Sequence, residues 1–133
     1  MNALRITEYP TTQMIVNSTE EELKIRCLNG LNLFTVKGQS NVPEVMSRYI
    51  DLIENVKTHL KNSERLNCYF YYSSINGTTI KLLFNLFKIL KNACVAHKSI
   101  GVYWMVDKEN EEVNDVGLEF QKLNMFKFQI INP

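Results

Sequence analysis

One short run sets four hydroxyls, Ser73, Ser74, Thr78 and Thr79, around Asn76 and Gly77, with Lys81 close behind. Hydroxyls on a turn that opens a helix have two uses. They can accept bonds from the free amides of the first helical turn, and Thr78 or Thr79 is the expected cap here. They can also be esterified: a phosphoryl group adds about −1.5 to −2 charge, and the start of a helix is the end that favours anions. Lys81 in the first turn is disfavoured by the helix dipole unless an anion stands beside it. The plainer alternative is that the threonines only cap and the lysine only reaches into water.

Two elements must position this run. Upstream, LNCYFYY (66–72) is apolar and aromatic without a break, the pattern of a strand covered on both faces. Downstream, Leu82, Leu83, Leu86, Phe87, Ile89, Leu90, Ala93 and Cys94 fill one helical arc, and Lys81, Asn85, Lys88 and Asn92 fill the opposite stripe. The exposed face is expected to carry Lys81, Lys88, Lys91 and Lys98 with no acidic residue, Phe84 and Val95 lying at its margin. A basic face with an apolar edge suits a protein partner.

The run Asn76, Gly77, Thr78, Thr79, Ile80, Lys81 resembles the helix-start motif Asn-Thr-Ser-Ser-x-Lys of the SiaC-type regulatory phosphoproteins, small bacterial proteins related in fold to STAS domains and anti-sigma-factor antagonists. GQSNVPEV (38–45) is similar to the family's Gly-x-Ser-x-Pro-Glu opening of its first helix, with one extra residue, and the order of elements after Lys98 also fits. The match runs from about Asn32 to Pro133; the amino-terminal part has more strands than the family supplies.

The resemblance implies a switch protein. It would be phosphorylated at this helix start by a histidine-kinase-like serine/threonine kinase, reset by a metal-dependent phosphatase, and would bind a downstream effector when unphosphorylated, in relatives a diguanylate cyclase. The family's acceptor threonine falls on Gly77, which has no hydroxyl, so Thr78 and Thr79 are the phosphorylation candidates. Ser74, Asn76, Gly77, Lys81, Phe84, Lys88 and Lys91 are the candidates for partner binding.

The rest of the chain supplies the scaffold. At 133 residues one domain spanning 1–133 is expected, large enough for a core without staples. A net charge of +1 gives no general pull toward nucleic acid or membrane. Cys27, Cys68 and Cys94 lie in apolar patterns without metal-ligand spacing and read as reduced, buried thiols of a cytoplasmic protein. Met1 to Gln13 lacks a signal-peptide run, and no segment is long and apolar enough to span a bilayer. Asn17-Ser18-Thr19 and Asn76-Gly77-Thr78 match the glycosylation triplet, without meaning unless the chain is secreted.

Thr12 to Asn17, Glu22 to Cys27 and Leu31 to Lys37 read as short antiparallel strands, with a turn at Asn29-Gly30. A helix follows to about Lys61, capped by Ser40 or Asn41, with Pro43 near its first position and Glu44 at the dipole's favourable end. Val42, Val45, Met46, Tyr49, Ile50, Ile53, Val56 and Leu60 should face inward, and His59 should be solvated.

SIGVYWMV (99–106) is another strand, Trp104 and Tyr103 pointing to opposite faces, with core packing preferred to an aromatic ligand platform. In 107–123, Val113, Val116, Phe120 and Leu123 share a helical face. The carboxylates Asp107, Glu109, Glu111, Glu112, Asp115 and Glu119 crowd its start, as the dipole favours, and match no calcium loop. Gly117 implies close packing, and Met125 to Ile131 alternates as an edge strand guarded by Lys127.

The expected fold is α/β (α+β): a mixed sheet of about five to six strands with about three helices, STAS-like. Three functions fit: a non-enzymatic phosphorylation switch, a constitutive protein-binding module that has lost the phosphorylation site, and a small-ligand binder. No cofactor or metal is expected. The sequence holds no convincing Ser/His/Asp or Cys/His set and no glycine-rich phosphate loop, which argues against an enzyme.

Overall fold

The computed structural model describes residues 22–133; the expected strand at Thr12 to Asn17, the triplet at Asn17 and the stretch Met1 to Gln13 lie outside them. Within this range the elements are β1 (Lys24–Leu28), a 3-10 turn (Asn29–Leu31), β2 (Leu33–Ser40), α1 (Val45–Asn62), β3 (Arg65–Ile75), α2 (Gly77–Val95), β4 (Ser99–Met105), α3 (Glu111–Leu123) and β5 (Lys127–Ile131). Five strands form one sheet in chain order; β1 pairs antiparallel with β2 and every later pair is parallel.

That order decides where the helices go. Each step from β2 to β5 moves one strand sideways in the same direction, and right-handed crossovers then put every helix on the same face. On that face Phe34, Phe70, Tyr72, Trp104 and Phe128 meet Leu83, Leu86, Phe87 and Leu90 of α2 and Phe120 of α3, all buried. Phe87 is the hub, edge-on to Phe70, Phe120, Phe126 and Phe128 at centroid distances of 5.7, 4.8, 6.2 and 5.7 Å.

The unbroken apolar run of β3 therefore does not mean helices on both sides. Its other face carries Tyr69 and Tyr71: Tyr69 stacks on Tyr103 at 4.6 Å, and Tyr71 forms a second buried cluster with Met105. Tyr71 Oη donates to Asp107 Oδ1 at 2.6 Å, and burial together with that carboxylate pushes its phenol upward.

Trp104 is fully buried, and its indole Nε1–H donates to the Val113 carbonyl at 3.0 Å. A Cβ on Gly117 would sit 2.5 Å from Trp104 Cδ1, so the glycine lets α3 lie directly on the indole. This excludes Trp104 as a ligand platform and accounts for a glycine in a helix interior, where it otherwise costs about 1 kcal/mol.

Helix faces depart from the sequence pattern at the edges. On α1, Val45, Tyr49, Leu52, Val56 and Leu60 are buried, whereas Met46 and Ile50, expected inside, are exposed. On the same helix Arg48 reaches across to the Leu23 carbonyl at 3.2 Å. Leu123 is likewise exposed at the end of α3. In each case the apolar arc is wider than the strip a sheet can cover.

His59, expected in solvent, is buried: its Nε2–H donates to the Arg65 carbonyl at 3.1 Å and its Nδ1 accepts from Asn29 Nδ2 at 3.2 Å. It ties the end of α1 to the turn before β2. Cys68 is buried and Cys27 and Cys94 are half-buried, all free thiols.

Candidate functional site

The start of α2 is assembled from β2, β3 and α1. β3 continues to Ile75, so Ser73 and Ser74 are strand residues rather than turn residues; Ser74 pairs with Gln39 and Ile75 with Ser40, past a register shift between Gly38 and Gln39. Ladder pairing outweighs the local turn preference of serine. Both serine Oγ atoms are buried and have no hydrogen-bond partner among the described residues, so Ser74 offers no hydroxyl to a partner.

The chain leaves the sheet at Asn76 in extended backbone (φ −118°, ψ 175°), and its Oδ1 accepts from the Thr79 amide at 2.9 Å. Asn76, not Thr78 or Thr79, is therefore the cap. A capping side chain must lie outside the helix and fold forward onto the third amide, and both threonines are already within the first turn. By contrast α1 is preceded by Glu44 with no side-chain cap; of the two expected caps, Ser40 is the last residue of β2 and Asn41 lies three residues before Glu44.

The two threonines differ completely. Thr78 is exposed, whereas Thr79 is fully buried and ends a chain of hydroxyls. Thr79 Oγ1 donates to the Ser40 carbonyl at 2.7 Å, which uses its only hydrogen. The 2.8 Å contact between Ser40 Oγ and Thr79 Oγ1 must then run from serine to threonine. The 2.9 Å contact of Tyr49 Oη with Ser40 Oγ runs from tyrosine, and the 2.5 Å contact of Tyr72 Oη with Tyr49 Oη runs from Tyr72.

One direction is thus set through β3, α1, β2 and α2. Burial pushes the Tyr49 phenol up to about 12, against the opposing pull of its bonds to Ser40 and Tyr72 and of Arg48. Burial, with Tyr49 adjoining, holds Tyr72 well above its usual value, so the relay is neutral.

Ser40, Tyr49 and Tyr72 escaped notice as site residues. The available signal was two tyrosines in otherwise apolar core patterns, because a buried tyrosine hydroxyl needs a partner.

Along α2, Lys81, Phe84, Lys88 and Lys91 are all exposed. Lys88 Nζ lies over the Phe84 ring at 5.8 Å from its centroid. Phe84 and Lys91, three before and four after Phe87, lean toward α3; Thr78, nine residues before Phe87, lies on the flank toward α1. Lys81 and Lys88 form the crest between them. Lys98 is not part of this face: it follows the helix, half-buried, with Nζ 3.0 Å from the Ser63 carbonyl and 3.6 Å from Glu64 Oε2.

The carboxylates of α3 stay a dipole-favoured start: Glu111 and Glu112 occupy the first turn, and Asn110 caps it through the Val113 amide at 3.2 Å. Among the described residues no three His, Cys, Asp or Glu side chains are grouped to hold a metal ion, and no helix is long and apolar enough to cross a membrane.

Among the described residues, one five-stranded mixed sheet with three helices, and a capped helix start bearing an exposed threonine, define an α/β protein. A family model described as SiaC family regulatory phosphoprotein matches residues 16–133, and the chain belongs to that family. No curated protein sequence matches it.

Its fold is that of a chain in the crystal structure of diguanylate cyclase SiaD in complex with its activator SiaC from Pseudomonas aeruginosa. The TM-score is 0.80 at 20% identity, covering 87% of this chain and 96% of that one. Apo-SiaC from the same organism aligns with a TM-score of 0.77 at 18% identity, covering 86% of this chain and 93% of that one.

Proposed function

We propose that this protein is a non-enzymatic bacterial signalling protein of the cytoplasm, acting as one domain, that binds a downstream effector and is switched by phosphorylation at the start of α2. The observation that carries this reading is an exposed threonine hydroxyl at a capped helix start, in a chain of a regulatory phosphoprotein family. The effector proposed is a diguanylate cyclase, because the SiaC of the similar complex is an activator of one. A serine/threonine kinase and a metal-dependent phosphatase are the proposed writers of the switch.

Partner contact is assigned to Asn76, Gly77, Lys81, Phe84, Lys88 and Lys91. Their exposed lysines suit an acidic surface, and Phe84, nearly half exposed at 47%, supplies an apolar anchor beside them. A phosphoryl group at the helix start would compete for Lys81 and repel that acidic surface.

The experiment is to recover diguanylate cyclases from host extract on the tagged chain, in dephosphorylated and phosphorylated form, and to follow cyclic di-GMP synthesis. The expected result is a cyclase retained and activated by the dephosphorylated form and released by the phosphorylated one. Equal retention by both forms would instead support a constitutive binding module, which the missing hydroxyl at Gly77 favours. No retention by either form would remove the cyclase from the proposal.

A further inference from the structure

We infer that Thr78, and not Thr79, carries the phosphoryl group, and that the buried relay withholds Thr79 from modification. The inference rests on the proposed reading of the chain as a phosphorylation switch and adds to it the residue and the reason.

The first argument is access. Transfer requires the threonine oxygen to meet the γ-phosphorus of ATP opposite the bond that breaks. Thr78 Oγ1 forms the new O–P bond, the bond from phosphorus to the β,γ-bridging oxygen breaks, ADP leaves with that electron pair, and the hydroxyl proton passes to a base of the kinase. Thr78 is exposed and can be presented this way with the fold intact. Thr79 has 0% exposure, donates to the Ser40 carbonyl at 2.7 Å and accepts from Ser40 Oγ at 2.8 Å. To react it would have to break both bonds and pull the start of α2 off the end of β2.

The second argument concerns the product. Residues three apart on a helix are neighbours and residues two apart are not. Lys81 therefore stands beside a phosphoryl group on Thr78 but not beside one on Thr79. Asn76 Oδ1 occupies the Thr79 amide, which leaves the first-turn amides of Gly77 and Thr78 outside the intrahelical ladder to bind the new anion. A phosphoryl group on Thr79 would instead lie among Ser40, Tyr49 and Tyr72, a neutral and filled part of the core.

The third observation supplies a control. Gly77 is exposed, and a Cβ there would meet nothing within 4 Å. A hydroxyl can thus be moved to position 77 without disturbing the helix start.

The test uses the full chain isolated from its host with phosphatases inhibited, as wild type, Thr78→Ala, Thr78→Ser, Ser40→Ala, Thr79→Val and the double variant Gly77→Ser/Thr78→Ala. Each is read by intact mass and site-mapped fragmentation, with folding checked by circular dichroism. One phosphate is expected on residue 78 in the wild type, Thr78→Ser, Ser40→Ala and any Thr79→Val that folds. It should vanish in Thr78→Ala and return at position 77 in the double variant.

Phosphate on Thr79, in the wild type or in Thr78→Ala, overturns the assignment while leaving the switch standing. Phosphate on no residue of any variant overturns the assignment and the proposed switch together.

Discussion

Two helices start at the same end of the sheet, where β2 and β3 run out, and they start differently. α1 begins after Glu44 with no side-chain cap, and it is held by the burial of Val45 and Tyr49 and, a turn in, by the bond from the Tyr49 hydroxyl to Ser40. α2 begins after Asn76, whose side chain takes the Thr79 amide, and Thr79 is in turn bound into the end of β2. The first start has no side-chain cap and joins the hydroxyl relay only through Tyr49, a turn inside the helix; the second has a cap and a first-turn hydroxyl, Thr79, that ends the relay. On the proposed reading, the second construction is the one that keeps its shape while a kinase and an effector act on it. It leaves Thr78 exposed next to a residue bonded through both its amide and its hydroxyl.

The relay that joins the two starts is broken most strongly by alkali. Tyr49 ionises near 10.0 when unfolded and at about 12 in the fold. Raising an acid's pKa on folding gives stability that is intact below the unfolded value and lost as pH climbs toward the folded one. Stability should therefore fall between about pH 10 and 12, by roughly 3 kcal/mol from Tyr49 alone, and urea melts across that range should show a flatter decline in Tyr49→Phe.

Next comes Thr79→Val, which keeps the shape but strands the Ser40 carbonyl and removes the acceptor of the Ser40 hydroxyl. A loss of about 2 kcal/mol is expected in chemical denaturation, because each buried group left unpaired costs about 1–3 kcal/mol. Asn76→Ala removes only the cap and should cost about 1 kcal/mol. The smallest effects belong to the other start and to the exposed threonine: Glu44→Ala and Thr78→Ala should each stay within about 0.5 kcal/mol of the wild type. If Glu44→Ala cost as much as Asn76→Ala in the same melts, the two starts would be equivalent and the comparison would fail.

Much of this was legible beforehand because it is periodic. The alternation Phe126, Phe128, Ile130 against Lys127 and Gln129 marks β5, and Leu83, Leu86, Phe87 and Leu90 mark α2 as a core helix. The helix-start run at Asn76 to Lys81 was visible from composition. Less legible were the edges: Met46, Ile50 and Leu123 carry the right hydrophobicity but sit where no strand reaches them. Lys98 looked like another lysine of α2 until the helix ended at Val95 and the residue turned back to Ser63.

What the sequence alone determined is the order of elements and the chemistry held at the junction of β3 and α2, since both follow from local spacing and residue type. Only the tertiary structure decided that α1, α2 and α3 lie on one face of the sheet, that His59 is interior, and that of two adjacent threonines one is exposed and the other buried. The reason is geometric. Successive residues on a helix point about 100° apart, so Thr78 and Thr79 share a local sequence but not a surrounding. Ser40 stands 39 residues away from Thr79 in the chain, and its carbonyl reaches that hydroxyl only once β2 and β3 have paired.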